Sequence, residues 1–318
     1  MLHRIMTVSP SLTIPQSLKH STTLGLLCGV GAAFCWALGF VVARQGIMAG
    51  MSPFVVAMHR YVWPGLMLLP FVAANGFRDL GGIGWGRGFA LALFGGLPLA
   101  LWSYLGFLYV PLGHGGVIQP SSAALGGMLL ARLVLKEPLP PRRIAGGLAI
   151  VAGLCTIGIE ALRTIGSHGI GGDLLFVLAG GSFATFGMLV RLWRVSAMPS
   201  VAITSVLSLV ATPFLLLDYN NILAAGWYEN ILQAVIQGGL AGAAAIYLFT
   251  RAVVLLGASR AVLFPSLVPP FVLSSGFIIL GEVPTLSQLA GLLVVVIGFW
   301  LTQKGDASPS DTPAAQPR

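Results

Sequence analysis

The chain has 318 residues, of which 56% are hydrophobic and only 8% are charged, and its mean hydropathy is +0.91. These values lie far outside the range of soluble globular proteins, so the sequence predicts a protein that is embedded in lipid. The net charge of +8 is spread over the connections between apolar segments and is not gathered on a polar domain, which excludes a nucleic-acid-binding protein.

Apolar segments then follow one another along the chain, after a charged tail over residues 1–22 that we interpret as cytoplasmic. Most have the ~17–25 residues that a helix needs to cross a bilayer, although the fifth is marginal. The sequence therefore predicts an all-α integral membrane protein with ten transmembrane helices. The segments cover residues 24–43, 53–73, 89–110, 115–135, 144–159, 171–189, 201–217, 231–254, 261–280 and 286–301. The tail over 303–318 is rich in Ser, Ala, Pro and Asp and is expected to be disordered and cytoplasmic.

The positive charges predict the orientation of these helices. If the N-terminus is cytoplasmic, the tails and cytoplasmic connections hold fourteen of the 17 Lys and Arg residues. The opposite connections hold only Arg44 and Arg163, and Arg60 lies inside a helix. An excess of this size follows the positive-inside rule, with both termini in the cytoplasm.

Two stretches of the sequence repeat each other at a separation of 145 residues, from Pro120 to Gly153 and from Pro265 to Gly298. Over 120–155 and 265–300, nine of 36 aligned pairs are identical, and the matches include a proline, a glutamate and two glycines rather than only apolar residues. Five helices per half is an odd number, so the second half enters the membrane from the opposite side. The duplication therefore predicts two inverted repeats, an arrangement typical of secondary transporters.

These motifs resemble the EamA family of the drug/metabolite transporter superfamily. The resemblance lies in Lys136-Glu137-Pro138-Leu139 and Gly281-Glu282-Val283-Pro284-Thr285, each followed by two glycines, and in Trp36 and Arg60. It implies a first repeat over 23–160 and a second over 170–302. It also implies transport of an amino acid, another small metabolite or a drug, usually outward.

Arg60 is the most informative single residue, because a guanidinium inside a membrane helix is costly unless it faces a cavity or a partner. Two interpretations stay open: an anchor for an anionic substrate group, and a structural arginine bonded to free carbonyls. His59 precedes it and is a candidate proton relay, although consecutive helical residues point about 100° apart. A packing histidine is the favoured interpretation of His59.

Prolines in the middle of the fourth and ninth segments, Pro120 and Pro265, each remove one helical hydrogen bond and free a carbonyl. Together with Gln119, Ser121 and Ser266, these carbonyls are expected to line a polar cavity, and simple kinks are the alternative. The two extra prolines of the second copy, Pro269 and Pro270, predict that the halves bend differently.

Aromatic residues within the segments are candidates for the wall of a binding pocket. Trp36, Trp102, Tyr104 and Tyr247 are chosen because each falls toward the interior of its segment. The alternative for each is a position at the membrane interface or on the lipid-facing surface.

Other classes of protein are disfavoured. The sequence has no HExxH motif, no Walker A motif and no metal-ligand framework, so neither a cofactor nor a metal is expected. An intramembrane enzyme and a channel are the alternatives, but neither a catalytic set nor a ring of charge is visible. No carboxylate is expected near the middle of a span, which favours facilitated diffusion or coupling through a site that the sequence does not identify. The prediction is therefore an inner-membrane exporter that works by alternating access in the lipid bilayer on a small-molecule substrate, with a homodimer left open.

Overall fold

The computed structural model describes residues 16–164, 166–256 and 264–303, and 87% of them are helical with no strand among them. The first half contains six α-helices: α1 (Gln16–Met48), α2 (Pro53–Asn75), α3 (Trp85–Gly95), α4 (Leu97–Gly106), α5 (Leu112–Leu133) and α6 (Pro141–Thr164). The second half contains α7 (Ser167–Leu192), α8 (Ala197–Ser208), α9 (Tyr219–Gln233), α10 (Ala245–Leu256), α11 (Val268–Leu280) and α12 (Leu286–Gln303). Shorter 3-10 segments cover Leu209–Asp218 and Phe264–Leu267, and a π-helical segment covers Ala234–Ala244. Of the predicted tails, 1–22 and 303–318, residues 1–15 and 304–318 lie outside the described residues. Residues 16–22 begin α1 and residue 303 ends α12, so both tails are shorter than predicted among the described residues.

Several helices are long and apolar enough to cross a membrane. Five candidate spans meet this criterion among the described residues, namely Thr22–Met48, Pro53–Asn75, Trp85–Gly106, His168–Leu192 and the uninterrupted stretch Met198–Leu256. Phe264–Leu280 and Leu286–Thr302 are shorter apolar helices. The chain is therefore a helical membrane protein.

The boundaries differ from the predicted ones where the chain breaks or extends a helix. The predicted third segment is divided at Gly96, because Pro98 disfavours helical backbone at the residue before it and has no N–H to donate. The Leu97 N–H at the start of α4 donates to Ser208 Oγ instead. The fifth apolar segment, marginal at 144–159, is extended by flanking polar residues: α6 has 24 residues and includes Arg142 and Glu160.

The last helices of the two sequence repeats, α6 and α12, pack on each other along glycines. A methyl group added to Gly146 would lie 2.6 Å from the carbonyl oxygen of Gly298, and one added to Gly153 would lie 2.7 Å from that of Gly291. Because 146 pairs with the higher number and 153 with the lower, the two helices are antiparallel. Gly146 is the repeat equivalent of Gly291, and Gly153 of Gly298, so the crossing relates the halves by a two-fold pseudo-symmetry.

Other helix contacts follow the same pseudo-symmetry. The fourth-segment helix α5 packs on α7, and its counterpart α11 packs on α1, so each half covers the first helix of the other. Gly238 and Gly242, spaced by four residues, lie against Trp63 and Pro64 on α2, where the missing side chains permit a close approach. The halves are therefore interleaved around a shared core.

Candidate functional site

A cluster of polar side chains lies at the centre of this bundle. We call Arg60, Tyr61, Tyr104 and Gln237 the central polar cluster. The Arg60 guanidinium is within hydrogen-bonding reach of the hydroxyls of both tyrosines. The Tyr104 hydroxyl donates to Gln237 Oε1 at 2.9 Å, and the Tyr61 hydroxyl donates to the Gly95 carbonyl at 3.0 Å. Helices α2 and α4 and the π-helical segment therefore bring their polar groups to one place.

The backbone of α1 closes one side of the cluster at Gly39. Gln237 Nε2 donates to the Gly39 carbonyl at 2.7 Å. A methyl group added to Gly39 would lie 3.6 Å from both Arg60 Nη1 and Gln237 Oε1, and 2.7 Å from Ala241 Cβ. A side chain at residue 39 would therefore collide with Ala241, so the glycine lets α1 approach the π-helical segment closely.

A polar ladder runs from the central cluster along the interface between α1 and α9. Gln233 Nε2 donates to the Val42 carbonyl at 2.8 Å and to Glu229 Oε1 at 2.9 Å. Gln45 Nε2 donates to Glu229 Oε2 at 2.9 Å. Glu229, Gln233 and Gln237 are spaced by four, so they occupy one face of a nearly continuous helix.

Among the described residues, Arg60 forms no ion pair with a carboxylate. It lies deep in the protein and nevertheless keeps some accessible surface. A paired carboxylate would neutralise the guanidinium, whereas two tyrosine hydroxyls do not. The cluster therefore presents a positive charge to any small anion that reaches it.

Several predicted site residues lie near the cluster or between it and the neighbouring helices. Tyr104 belongs to it, and Gln119 on α5 accepts from Ser103 Oγ, next to Tyr104, at 2.8 Å. Trp36 packs its ring 5.5 Å from that of Phe249 on α10. Pro120 lies within the uninterrupted helix α5, and Ser121 after it is fully buried. The Ser121 hydroxyl has no hydrogen-bond partner among the described residues.

Other predicted site residues are not brought to the cluster. Tyr247 is 66% exposed and Trp102 is 37% exposed, because both point away from the core of the bundle. They therefore lie on the outer surface and not in the wall of an internal pocket. Pro265 and Ser266 fall in the 3-10 segment before α11, so the two copies of the Pro-Ser pair bend differently.

His59 is held by neighbours on both sides of its ring. Its Nε2 lies 3.2 Å from Asn230 Oδ1, and its Nδ1 accepts from Trp63 Nε1 at 3.0 Å. Both ring nitrogens are therefore occupied by packing partners, and His59 points away from the hydroxyls that surround Arg60.

Sequence reasoning missed Gln237, Gln233 and Glu229, although a signal was available. Three polar residues at four-residue spacing in an apolar stretch predict a polar face on a membrane helix. The eighth segment was taken to start at 231, which placed Glu229 in a connection. In the structure Glu229 lies within α9 and is buried, as Asp173 is within α7. Neither residue lies at the middle of a predicted segment, so the expectation that no carboxylate lies near the middle of a span stays a prediction.

The repeated glutamate of each half also forms an ion pair with an arginine of the other half. Glu282, between α11 and α12, pairs with Arg44 Nε of α1 at 3.0 Å, and its other oxygen accepts from the Leu112 N–H at 2.8 Å. Glu137, between α5 and α6, pairs with Arg191 near the end of α7. Both are inter-repeat ion pairs that tie a connection to a first helix.

The sequence profile of the EamA-like transporter family matches residues 23–159 and 170–303. The chain belongs to this family, and it is a membrane transporter built from two family repeats.

A solved crystal structure, titled only as that of a protein, superposes with a TM-score of 0.58 at 15% sequence identity, covering 88% of this chain and 97% of the other. At this identity the similarity shows the fold alone. No curated protein matches the sequence significantly.

Proposed function

We propose that the chain is a secondary transporter that exports an amino acid or a similar small metabolite by alternating access. Ten spans in two inverted five-helix repeats account for the element order. In this scheme α3 and α4 form the third span, α8 and the 3-10 segment after it form the seventh, and the stretch from α9 through α10 forms the eighth. The antiparallel glycine crossing of α6 and α12 supports the inversion.

The observation that carries the substrate proposal is Arg60 without a carboxylate partner among the described residues, inside an apolar bundle. A carboxylate on the substrate would supply the missing charge, and a guanidinium binds carboxylates through two parallel hydrogen bonds. The Tyr61 and Tyr104 hydroxyls and the Gln237 amide then contact the remaining polar atoms of the substrate. Amino acids and small organic acids are the substrates that suit this set.

Alternating access requires a site that both halves share and contacts that can separate at either end. Gln237 comes from the second matched range and Arg60 from the first, so the central cluster joins the repeats. The ion pairs of Glu282 and Glu137 lie at opposite ends of the bundle under the inverted topology. Opening one end then requires the two halves to move apart around the central cluster.

The proposed location is the inner membrane of a bacterium, with both termini in the cytoplasm. The distribution of Lys and Arg supports this orientation. It places Glu137 and Arg191 at the cytoplasmic end, and Glu282 and Arg44 at the outer end.

The test is exchange of a radiolabelled amino-acid mixture in proteoliposomes. Wild-type protein is expected to exchange internal unlabelled for external labelled amino acids. We expect Arg60→Ala to abolish this exchange while the protein remains folded, because the anchor for the carboxylate is gone. Arg78→Ala is the matched control, since Arg78 is an exposed arginine on the connection after α2.

Two results would contradict the proposal. Wild-type exchange rates in Arg60→Ala would remove Arg60 from substrate binding. Flux that runs without any requirement for substrate on the opposite side would indicate a channel rather than a carrier.

A further inference from the structure

The two buried carboxylates of the described residues, Glu229 on α9 and Asp173 on α7, have different partners. They are 6% and 7% exposed. Asp173 Oδ1 lies 2.9 Å from Nδ1 of His114 on α5, so an ionisable group faces it. Glu229 accepts only from the neutral amides of Gln45 and Gln233, and it forms no ion pair within the described part of the chain. A buried carboxylate that lacks a cation is costly, so a cationic ligand would be stabilised here.

His59 on α2 lies near Glu229 but does not supply this cation. Its Nδ1 accepts a hydrogen bond from Trp63 Nε1 at 3.0 Å, and an imidazole nitrogen that accepts carries no proton. Its Nε2 lies 3.2 Å from Asn230 Oδ1. The imidazole therefore places no positive charge against Glu229 in this arrangement.

Gln233 presents a second acceptor at the same place. Its Nε2 donates to Glu229 Oε1 at 2.9 Å and to the Val42 carbonyl at 2.8 Å, whereas its Oε1 is buried and has no hydrogen-bond partner among the described residues. Because the oxygen and nitrogen of an amide are ~2.3 Å apart, this oxygen lies within about 5 Å of the carboxylate. An unused buried acceptor is uncommon in a packed interior. An ammonium, which offers three N–H donors, fits both acceptors.

The spacing between Glu229 and Arg60 follows from their positions along α1. Methyl groups added to Gly39 and Gly46 would lie 3.6 Å from Arg60 Nη1 and 3.3 Å from Glu229 Oε1, respectively. Seven residues of helix separate these two glycines, which corresponds to about 10 Å. The two repeats therefore hold one cation and one anion about 10 Å apart, and neither forms an ion pair among the described residues.

This distance discriminates between kinds of amino acid. If the substrate carboxylate binds Arg60 and a cation binds Glu229, two hydrogen bonds of ~2.8 Å still leave at least ~4 Å between the charged atoms of the substrate. The ammonium nitrogen of an α-amino acid lies only ~3 Å from its carboxylate oxygen, since both groups are attached to the same carbon. A nitrogen at the end of a chain of several carbons reaches Glu229, because each further bond adds roughly 1.2 Å.

We propose that Glu229 and Gln233 form a second subsite, which binds a cationic nitrogen separated from the substrate carboxylate by several carbons. This inference rests on the proposed function and narrows its substrate class to ω-amino acids and to amino acids with a cationic side chain, such as lysine. Gln45, which also contacts Glu229, follows Arg44, so the subsite lies between the central polar cluster and the Glu282 end. Gln233 is fully buried between the two charges, so the substrate chain enters only when the halves move apart, as alternating access requires.

The experiment compares three counter-substrates in proteoliposomes that contain the full chain. The vesicles are loaded with equal concentrations of lysine, 6-aminohexanoate or norleucine, and entry of the labelled amino-acid mixture is measured. Norleucine has the carbon chain of lysine without its terminal nitrogen, whereas 6-aminohexanoate keeps that nitrogen and lacks the α-amino group. We expect wild-type exchange to be at least ~10-fold faster with lysine or 6-aminohexanoate than with norleucine, because norleucine makes no charged hydrogen bond to Glu229.

Three variants test the role of Glu229 in this preference. Glu229→Gln keeps the shape of the side chain and removes its charge, so the ratio of the lysine rate to the norleucine rate should fall to within about twofold. Glu229→Asp keeps the charge and should retain the preference for lysine. Asp79→Asn is the matched control, since it removes an exposed carboxylate between α2 and α3, and it should keep the wild-type ratio.

A binding measurement on the wild-type protein does not depend on the folding of any variant. Lysine and 6-aminohexanoate should raise the unfolding temperature of the detergent-solubilised protein, and norleucine at the same concentration should raise it less. Equal stabilisation by lysine and norleucine would overturn the subsite.

A wild-type ratio of rates in folded Glu229→Gln would also overturn it. Loss of exchange with all three counter-substrates in that variant would do the same, because Glu229 would then have a structural role. Wild-type exchange that does not distinguish lysine from norleucine would overturn the subsite and leave the proposed function intact. Absence of any wild-type exchange, even with the unlabelled amino-acid mixture inside, would instead contradict the proposed function.

Discussion

The two inter-repeat ion pairs occupy equivalent positions in the two halves but differ in their surroundings. Arg44 and Glu282 have side chains that are 17% and 23% exposed, and Arg44 also donates to the Phe107 carbonyl. Arg191 and Glu137 are 59% and 33% exposed, and within the described part of the chain the ion pair between them is the only one that either residue makes. The same motif has therefore become a partly buried network at one end and a solvated contact at the other.

Other contacts between the two halves also differ between the Glu282 end and the Glu137 end of the bundle. At the Glu282 end, Ser52 Oγ donates to Asp218 at 2.7 Å, and Asn221 Nδ2 donates to the Gly50 carbonyl at 2.8 Å. At the Glu137 end, the contact between halves at the start of α3 is Arg87 over the ring of Trp193. Hydrogen bonds between the halves therefore accompany the ion pair at the Glu282 end, whereas a cation–π contact accompanies it at the Glu137 end.

The crossing of α6 and α12 is built from equivalent glycines of both halves. Its disruption should have the largest effect on stability. We expect Gly146→Ala to lower the free energy of unfolding by about 3 kcal/mol, because the added methyl group meets backbone atoms of Gly298 and Thr302 as well as the Thr302 side chain. Gly291→Ala, its repeat equivalent, should lower it by a similar amount. Unfolding of the detergent-solubilised protein, followed by tryptophan fluorescence, measures both.

The matched control for these variants is Gly127→Ala in α5. A methyl group there meets no atom within 4 Å, so no loss of stability is expected. Equal stability of Gly127→Ala and Gly146→Ala would show that the crossing is not tightly packed. A large loss of stability at only one of positions 146 and 291 would contradict the pseudo-symmetry of the crossing.

Replacing Glu282 and Glu137 tests the difference between the two inter-repeat ion pairs. The effect on the free energy of unfolding should be smaller than that of the glycine variants. We expect Glu282→Gln to lower the free energy of unfolding by about 2 kcal/mol, since it weakens a partly buried charged pair that also caps α5. Glu137→Gln removes a solvated ion pair, so its effect should stay within about 0.5 kcal/mol. The same unfolding measurement compares them, and an equal loss in both variants would contradict the assigned asymmetry.

Much of the fold could be predicted from the sequence because membrane helices are continuous apolar runs and the duplication marks its ends with Pro, Glu and Gly. The family followed from the same patterns, and so did the choice of Tyr104 as a candidate site residue. The side-chain direction of Tyr247 and Trp102 could not, since each helix has a lipid-facing surface that is as apolar as its buried one.

The missed polar residues have a different cause. Gln237 joins the central polar cluster only because the π-helical segment packs against α1 and α4, which lie more than a hundred residues away in the chain. His114 and Asp173 each fall near the start of a predicted segment, where a polar residue indicates only the membrane boundary. Their pairing depends on how α5 of one repeat packs on α7 of the other.

Under the proposed topology the two repeats are inverted, so Glu137 and Glu282 occupy equivalent positions on opposite sides of the membrane. Cysteine labelling tests it directly in a background in which Cys28, Cys35 and Cys155 are replaced by alanine. Leu139→Cys and Val283→Cys place one thiol in each connection. With a membrane-impermeant maleimide, we predict labelling of residue 283 in spheroplasts and of residue 139 only after permeabilisation. Labelling of both positions from the same side would contradict the inverted architecture.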